Sequence, residues 1–330
     1  MSLRQPESLL PLAEIGERGT STSDECRLTE GASTVSIANA HVEQASNAFE
    51  RMKLRAAESV AREATRGSGR DEPQFFVPGM DEFMRAMPNH LARSSVYAPV
   101  ARGHKGIHKG TVLVSRADAV MKFWGEQLDE GQADVWMQSV YEASRSPLGG
   151  PVIIKRAAFL RSIGRQTGNY EYNWLNRAMQ ALTFAMLVIE VRDKDGRPKL
   201  SVGRNRALHM IDGFDFDDEA EAYTLRLDPR WRLMFGNREF ALIDWDKRLR
   251  IKPGQDMAKA LQRLVATSNE TIQRYAMDWL KSKLQYMGRM RDFVGALDRA
   301  MRELERVEII VGGRIEISTK GKSQVLWRKL

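Results

Sequence analysis

Apolar positions recur along this chain with two periods, and the alternation between them predicts its elements. Thr111 to Ser115 and Ala119 to Trp124 read as a hairpin turning near Ala117-Asp118. Glu126 to Arg145 then reads as a helix with Val135, Trp136, Val140 and Tyr141 on its inner side, stopped by the Pro147–Pro151 segment. A short strand (Val152 to Ile154), a short helix (Arg156 to Ile163) and a turn at Gly164 follow. The next helix, about Glu171 to Thr183, carries Leu175, Met179 and Leu182 at i, i+4 and i+7. Strand Met186 to Arg192, a turn at Asp195-Gly196 and strand Lys199 to Val202 complete the set.

The same order returns after Pro253-Gly254. Met257, Leu261, Leu264 and Val265 stripe one helix, and Tyr275 to Leu284 reads as a second. Gly288 turns the chain into a third, Arg289 to Arg306, and Val307 to Ile317 with Gln324 to Arg328 reads as a hairpin. The copies share letters as well as order. Phe159-Leu-Arg-Ser162 parallels Trp279-Leu-Lys-Ser282, and Asn176-Arg-Ala-Met-Gln-Ala-Leu182 parallels Asp298-Arg-Ala-Met-Arg-Glu-Leu304. Helix, short helix, turn, long helix and hairpin make the winged variant of the helix-turn-helix. The expected fold is therefore α+β: two tandem winged-helix domains, 79–250 and 251–330, behind a disordered N-terminal arm over 1–78.

The arm is set apart by composition. Phe49 is the only aromatic before residue 75, and nine Lys/Arg face twelve Asp/Glu there, so little can be buried and nothing is basic. Within it His41 to Glu63 reads as a marginal helix with a thin stripe of Val42, Phe49 and Met52. The whole chain carries a net charge of +8, which favours polyanionic partners. One cysteine, Cys26, rules out a disulfide framework or a cysteine zinc cluster and fits a reducing cytoplasm. No apolar run of eighteen and no signal-peptide core at the start point the same way, to a soluble protein off the membrane.

Charge opposite the core stripes gives the candidate chemistry. Arg291, Gly295, Arg299 and Arg302 follow at i, i+4, i+8 and i+11 in the last helix, with Arg289 just before it. Guanidinium forks there match phosphate oxygens or a guanine edge. From Pro253 to Leu330 fifteen Lys/Arg face nine Asp/Glu, and Lys320 and Lys322 sit in the hairpin turn. In the first copy the outer face of the third helix shows Asn173, Asn176, Arg177 and Gln180, suited to reading an adenine edge, while Arg161, Arg165 and Asn169 precede it as phosphate contacts. A solvated polar face is the competing reading for both helices, and a dimer surface is a further one for the first.

Catalysis is not expected. The acidic run Asp215, Asp217, Asp218, Glu219 and Glu221, near His209, reads as a solvated loop before it reads as a metal site. His104 and His108 supply two ligands without a third, and Gly321-Lys322-Ser323 lacks the leading glycine of a phosphate-binding loop. Trp136, Trp174, Trp231, Trp245 and Trp279 fit core packing. No cofactor and no metal are expected.

Several short segments in order resemble the TrfA family of plasmid replication initiators: Met87-Pro-Asn89 with Ala92-Arg-Ser94, Phe123-Trp-Gly-Glu-Gln-Leu128, Asp134-Val-Trp136, and Gly168-Asn-Tyr-Glu-Tyr-Asn-Trp-Leu175. The resemblance spans about residues 80 to 330. It implies a bacterial protein whose winged helices bind repeated double-stranded origin sites (iterons). It also implies opening of adjacent DNA, recruitment of host helicase and sliding clamp, and a homodimer in equilibrium with a DNA-active monomer. The clamp-contact candidate it implies is Ser94, Ser95, Val96 and Tyr97, a segment whose residues also read as the start of a buried strand. A winged-helix transcriptional repressor, acting on its own gene among others, is the alternative.

Overall fold

The computed structural model describes residues 44, 46–58, 80–100, 105–145, 149–236 and 239–330. Most of the arm expected over 1–78 lies outside these residues. What is described of it is helix α1 (44 and 46–58), and this helix does not stand free. Ala48 and Met52 are buried against Ala220 and Ala222, with Phe49 and Ile153 at the margin. Arg51 pairs with Glu219 at 2.6 Å, and Lys155 lies over the Phe49 ring at 4.3 Å. The thin stripe thus suffices to dock the helix.

The body mixes helix and sheet around two hydrophobic cores. The first core runs from Ala86 to Trp245 and the second from Ile251 to Trp327. Strand β1 (Met84–Pro88) pairs antiparallel with β10 (Phe240–Asp244), so the segment between them leaves the first core beside the point where it entered. A short helix α2 (Asn89–Ala92) follows β1. Hairpin β2 (Ile107–Leu113) and β3 (Ala119–Glu126) comes next, then α3 (Glu130–Ala143). Helix α3 starts at a capping box in which Asp129 and Gln132 satisfy each other's backbone N–H groups.

From α3 the order is β4 (Pro151–Lys155), α4 (Arg156–Ser162), α5 (Asn169–Phe184), β5 (Met186–Arg192) and β6 (Pro198–Val202). Gly164 between α4 and α5 takes φ +72°, a left-handed conformation that favours glycine. The three core residues expected of α5, Leu175, Met179 and Leu182, are all buried. Strands β7 (Leu208–His209), β8 (Gly213–Asp217) and β9 (Ala222–Arg226) then lead through a 3-10 turn (Pro229–Trp231) and α6 (Arg232–Phe235) to β10 and α7 (Trp245–Arg250).

The second core is built by α8 (Asp256–Ala266), β11 (Ile272–Ala276), α9 (Met277–Lys283), α10 (Met290–Arg306), β12 (Ile310–Ile317) and β13 (Ser323–Lys329). The helix expected over Tyr275 to Leu284 begins two residues later. Tyr275 and Ala276 belong to β11, which pairs with β13, and Tyr275 packs on Trp327 at 5.3 Å between ring centroids. Cross-strand aromatic contact outweighs the helical reading of that segment.

Element order recurs, but sheet pairing does not. In the second set the strand before the helix pair joins the hairpin, giving the order β11-β13-β12. In the first set β5 and β6 extend a sheet β2-β3-β5-β6, and β4 is taken by β9 in the sheet β4-β9-β8. The residues read as a solvated acidic loop are largely the hairpin β8–β9: Asp215 and Asp217 alternate with Phe214 and Phe216, which pack on Tyr223.

Candidate nucleic-acid interface

Helix α10 is strongly two-faced. Phe293, Leu297, Ala300, Met301 and Leu304 are buried, while Arg291, Arg299 and Arg302 project outward. Arg302 meets Asp298 at 2.8 Å one turn back, and Arg291 stands 3.8 Å from Asp292, both on strongly exposed side chains. Such surface pairs hold their geometry weakly and exchange readily for a phosphate. Arg299 has no carboxylate within ion-pair distance among the described residues, and neither has the exposed Arg289 that precedes the helix. Gly295 lies half-exposed on this face, where an added Cβ would meet only the Arg299 guanidinium, at 3.7 Å. The backbone is therefore open to close approach.

Beside α10, the β12–β13 turn closes through Ser318 N–H to the Lys322 carbonyl at 2.8 Å and Gly321 N–H to the Ser318 carbonyl at 2.9 Å. That turn leaves Lys320 and Lys322 exposed at the tip. A tight turn holding two cations clear of the sheet suits contact with a polyanion backbone.

Helix α5 presents a line of Asn169, Asn173, Arg177 and Gln180, all exposed, with Asn176 half-buried on its flank. Arg177 has no carboxylate partner among the described residues, and Arg161 is exposed at the end of α4. Arg165 is engaged within the protein. Its guanidinium donates to Glu171 at 2.6 Å and stacks on the Trp174 ring at 3.6 Å, so it braces the α4–α5 turn.

One cationic group went unread in the sequence. At the β5–β6 turn Asp193 Oδ1 accepts the N–H groups of Asp195 (2.9 Å) and Arg197 (2.8 Å), which folds the loop and leaves Arg192, Lys194 and Arg197 exposed. The signal was present in the alternating charges around Asp195-Gly196, but the interleaved aspartates hid it. Of these, the Asp193 carboxylate is spent on the turn itself.

Other candidate groups have structural duties. Asp217 accepts the Ala220 N–H at 2.8 Å, Glu219 holds Arg51, and Glu221 holds Arg156. His108 contacts Gln127 at 2.9 Å, whereas His104 lies outside the described residues. The clamp-contact candidate is a correction: Ser94, Ser95, Val96 and Tyr97 are all at most 1% exposed. Their carbonyls are taken by Lys283, Gln127 and Gln285, so this segment presents no free peptide to a partner.

The two cores meet across a buried ionic seam. Glu130 accepts from Arg248 Nη2 at 3.0 Å and from both Nε (3.2 Å) and Nη2 of Arg263. Asp134 accepts from Arg248 and from Lys259 Nζ at 2.6 Å. Burial pushes the Glu130 carboxyl up, but the charge and hydrogen bonds of Arg263 and Arg248 outweigh this and hold it at about 2. Nearby Lys283, fully buried with Nζ 3.1 Å from the Ser94 carbonyl, is pulled down to about 7 by desolvation and by the Arg263 charge.

No family model matches this chain, and no curated protein matches it. Among solved structures it is similar to a selenomethionine derivative of domains 2 and 3 of RctB, at 11% identity over 70% of this chain and 94% of that one, with a TM-score of 0.45. A second crystal structure of RctB domains 2-3 matches at 10% identity over 71% and 95% of the two chains, with a TM-score of 0.42. No helix among the described residues is long and apolar enough to cross a membrane.

Proposed function

We propose that this chain is a sequence-specific double-stranded-DNA-binding protein with two winged-helix units, α5 with the β5–β6 wing and α10 with the β12–β13 wing. The observation that carries this reading is the succession, twice over, of an exposed polar helix bearing an arginine (Arg177, Arg299) without an ion-pair partner among the described residues and a following hairpin whose tip bears exposed cations. Helix faces of this composition read base edges, and wing cations hold phosphates. In this reading Asn173, Arg177 and Gln180 face bases. Arg291, Arg299 and Arg302 do so in the second unit. Arg161, Arg192, Lys194, Arg197, Lys320 and Lys322 hold the backbone.

Within that class the reading is a plasmid replication initiator without covalent chemistry, because of the segments that resemble the TrfA family. Host helicase and clamp recruitment and a monomer–dimer equilibrium in the bacterial cytoplasm belong to the same proposal. The test is incubation with supercoiled DNA carrying the flanking repeats of its own gene, read by permanganate reactivity. Strand opening beside the bound repeats supports an initiator, and binding without opening favours the repressor. Nicking that needs magnesium and is lost in Asp217→Asn/Asp218→Asn would establish an enzyme instead.

A further inference from the structure

The ionic seam has a second consequence, which rests on the DNA-binding reading. Its carboxylates sit on α3 and its cations on α7 and α8, and α5 packs directly on α3 while α10 packs directly on α8. Each exposed helix is thus one helix layer away from the charges. Arg248, Arg263 and Glu130 are completely buried, and Arg248 makes further bonds to the Lys259 carbonyl (3.1 Å) and to Gln262 (3.3 Å). Arg263 reaches back to the Tyr97 carbonyl at 3.3 Å.

Apolar surfaces of similar size would hold two cores together at least as well, because buried ion pairs lose in desolvation much of what they gain in attraction. They differ in directionality. Two apolar faces slide and repack, whereas a planar guanidinium fork shared between carboxylates has one low-energy arrangement, and any slip strands a buried charge. A seam built this way fixes orientation.

We propose that the Glu130–Arg248–Arg263 lattice is a spacing gauge. It sets the distance and rotational phase between the two DNA segments that α5 and α10 engage together, so the ligand is a bipartite duplex of one permitted spacing. Two recognition helices on a hinge would accept several spacings. On a locked seam they accept one, since an added half-turn of roughly 5 base pairs puts the second groove on the far side of the helix.

The probe is a duplex enriched by the full-length protein from a randomised pool, footprinted to define its two halves and then rebuilt with 2, 5 or 10 base pairs inserted between them. The wild type is expected to lose about tenfold or more in affinity at every insertion. The triple variant Glu130→Leu/Arg248→Met/Arg263→Met is expected to keep its helical signal and bind the parent duplex, with the penalty for insertions falling below about threefold. Arg248→Lys, which keeps the charge and loses the fork, is the milder second variant and is expected to lie between. Wild-type protein that binds all spacings alike overturns the gauge and leaves DNA binding intact. A folded triple or Arg248→Lys variant that discriminates like wild type overturns it too. Failure to enrich any duplex overturns the DNA-binding reading itself.

Discussion

Replacing Glu130 by Gln keeps the side chain's shape and removes the charge that two buried guanidiniums face. The loss follows from two independent routes. A carboxyl held at about 2 against 4.5 in the unfolded chain stabilises the fold by about 3 kcal/mol at neutral pH. Removing one partner of a buried ion pair costs about 3–5 kcal/mol. Both put the variant about 3–5 kcal/mol below wild type at pH 7. Because the folded-state value is the lower one, this stability is complete above about pH 4.5 and is lost as pH falls through about 2. The gap should therefore narrow to about half or less at pH 3. Urea unfolding followed by fluorescence reads it well, since Trp136 is buried on the same helix as Glu130. A gap under about 1 kcal/mol at pH 7, or one unchanged at pH 3, would refute this account of the seam.

Lys283 has the opposite sign. Its folded value of about 7 lies below 10.5, so its cost to stability is full below about pH 7 and vanishes above 10.5. Lys283→Met should stabilise the protein by about 2–3 kcal/mol at pH 7, after allowance for the Ser94 carbonyl's lost donor, with the gain shrinking towards pH 10; a pH-independent effect would contradict the cause given. Gly295→Ala should raise thermal stability by about 0.5–1 kcal/mol, as helix propensity dictates, while weakening DNA binding, and unchanged affinity would mean that nothing approaches that backbone. Deleting residues 1–43 should leave the melting temperature in place, whereas deleting 1–74 removes the Met52 contact and should cost about 1–2 kcal/mol; equal melting of the two truncations would show the docking of α1 to be worthless.

Periodicity made α5, α10 and both hairpins legible, because one face of each is buried and the other is polar, so the pattern and the fold encode the same division. Helix α1 was legible as a helix but not as a docked one, since Ala48 and Met52 form a stripe too thin to announce a partner. β8 was obscured by charge: Asp215 and Asp217 drew attention away from the period-two placement of Phe214 and Phe216. The seam was not legible at all. Glu130 with Asp134, and Lys259 with Arg263, are like-charge pairs at i, i+4 that gain nothing on their own helices, and only the meeting of elements distant in sequence pairs and buries them. The segments that resemble TrfA initiators divide between framework and helix surface: Phe123, Leu128 and Trp136 are buried, whereas Asn169 and Asn173 lie exposed on α5.

The central claim is that α5 and α10 together read duplex DNA. Selection from a randomised duplex pool, followed by footprinting with wild type, Arg177→Ala and Arg299→Ala, tests it most directly. Wild type should enrich a defined sequence protected in two patches about one helical turn, roughly 10 base pairs, apart. Each variant should lose affinity by about 1–3 kcal/mol and relax specificity in a different patch. Binding that shows no sequence preference, or variants that protect both patches with wild-type affinity, would contradict the claim.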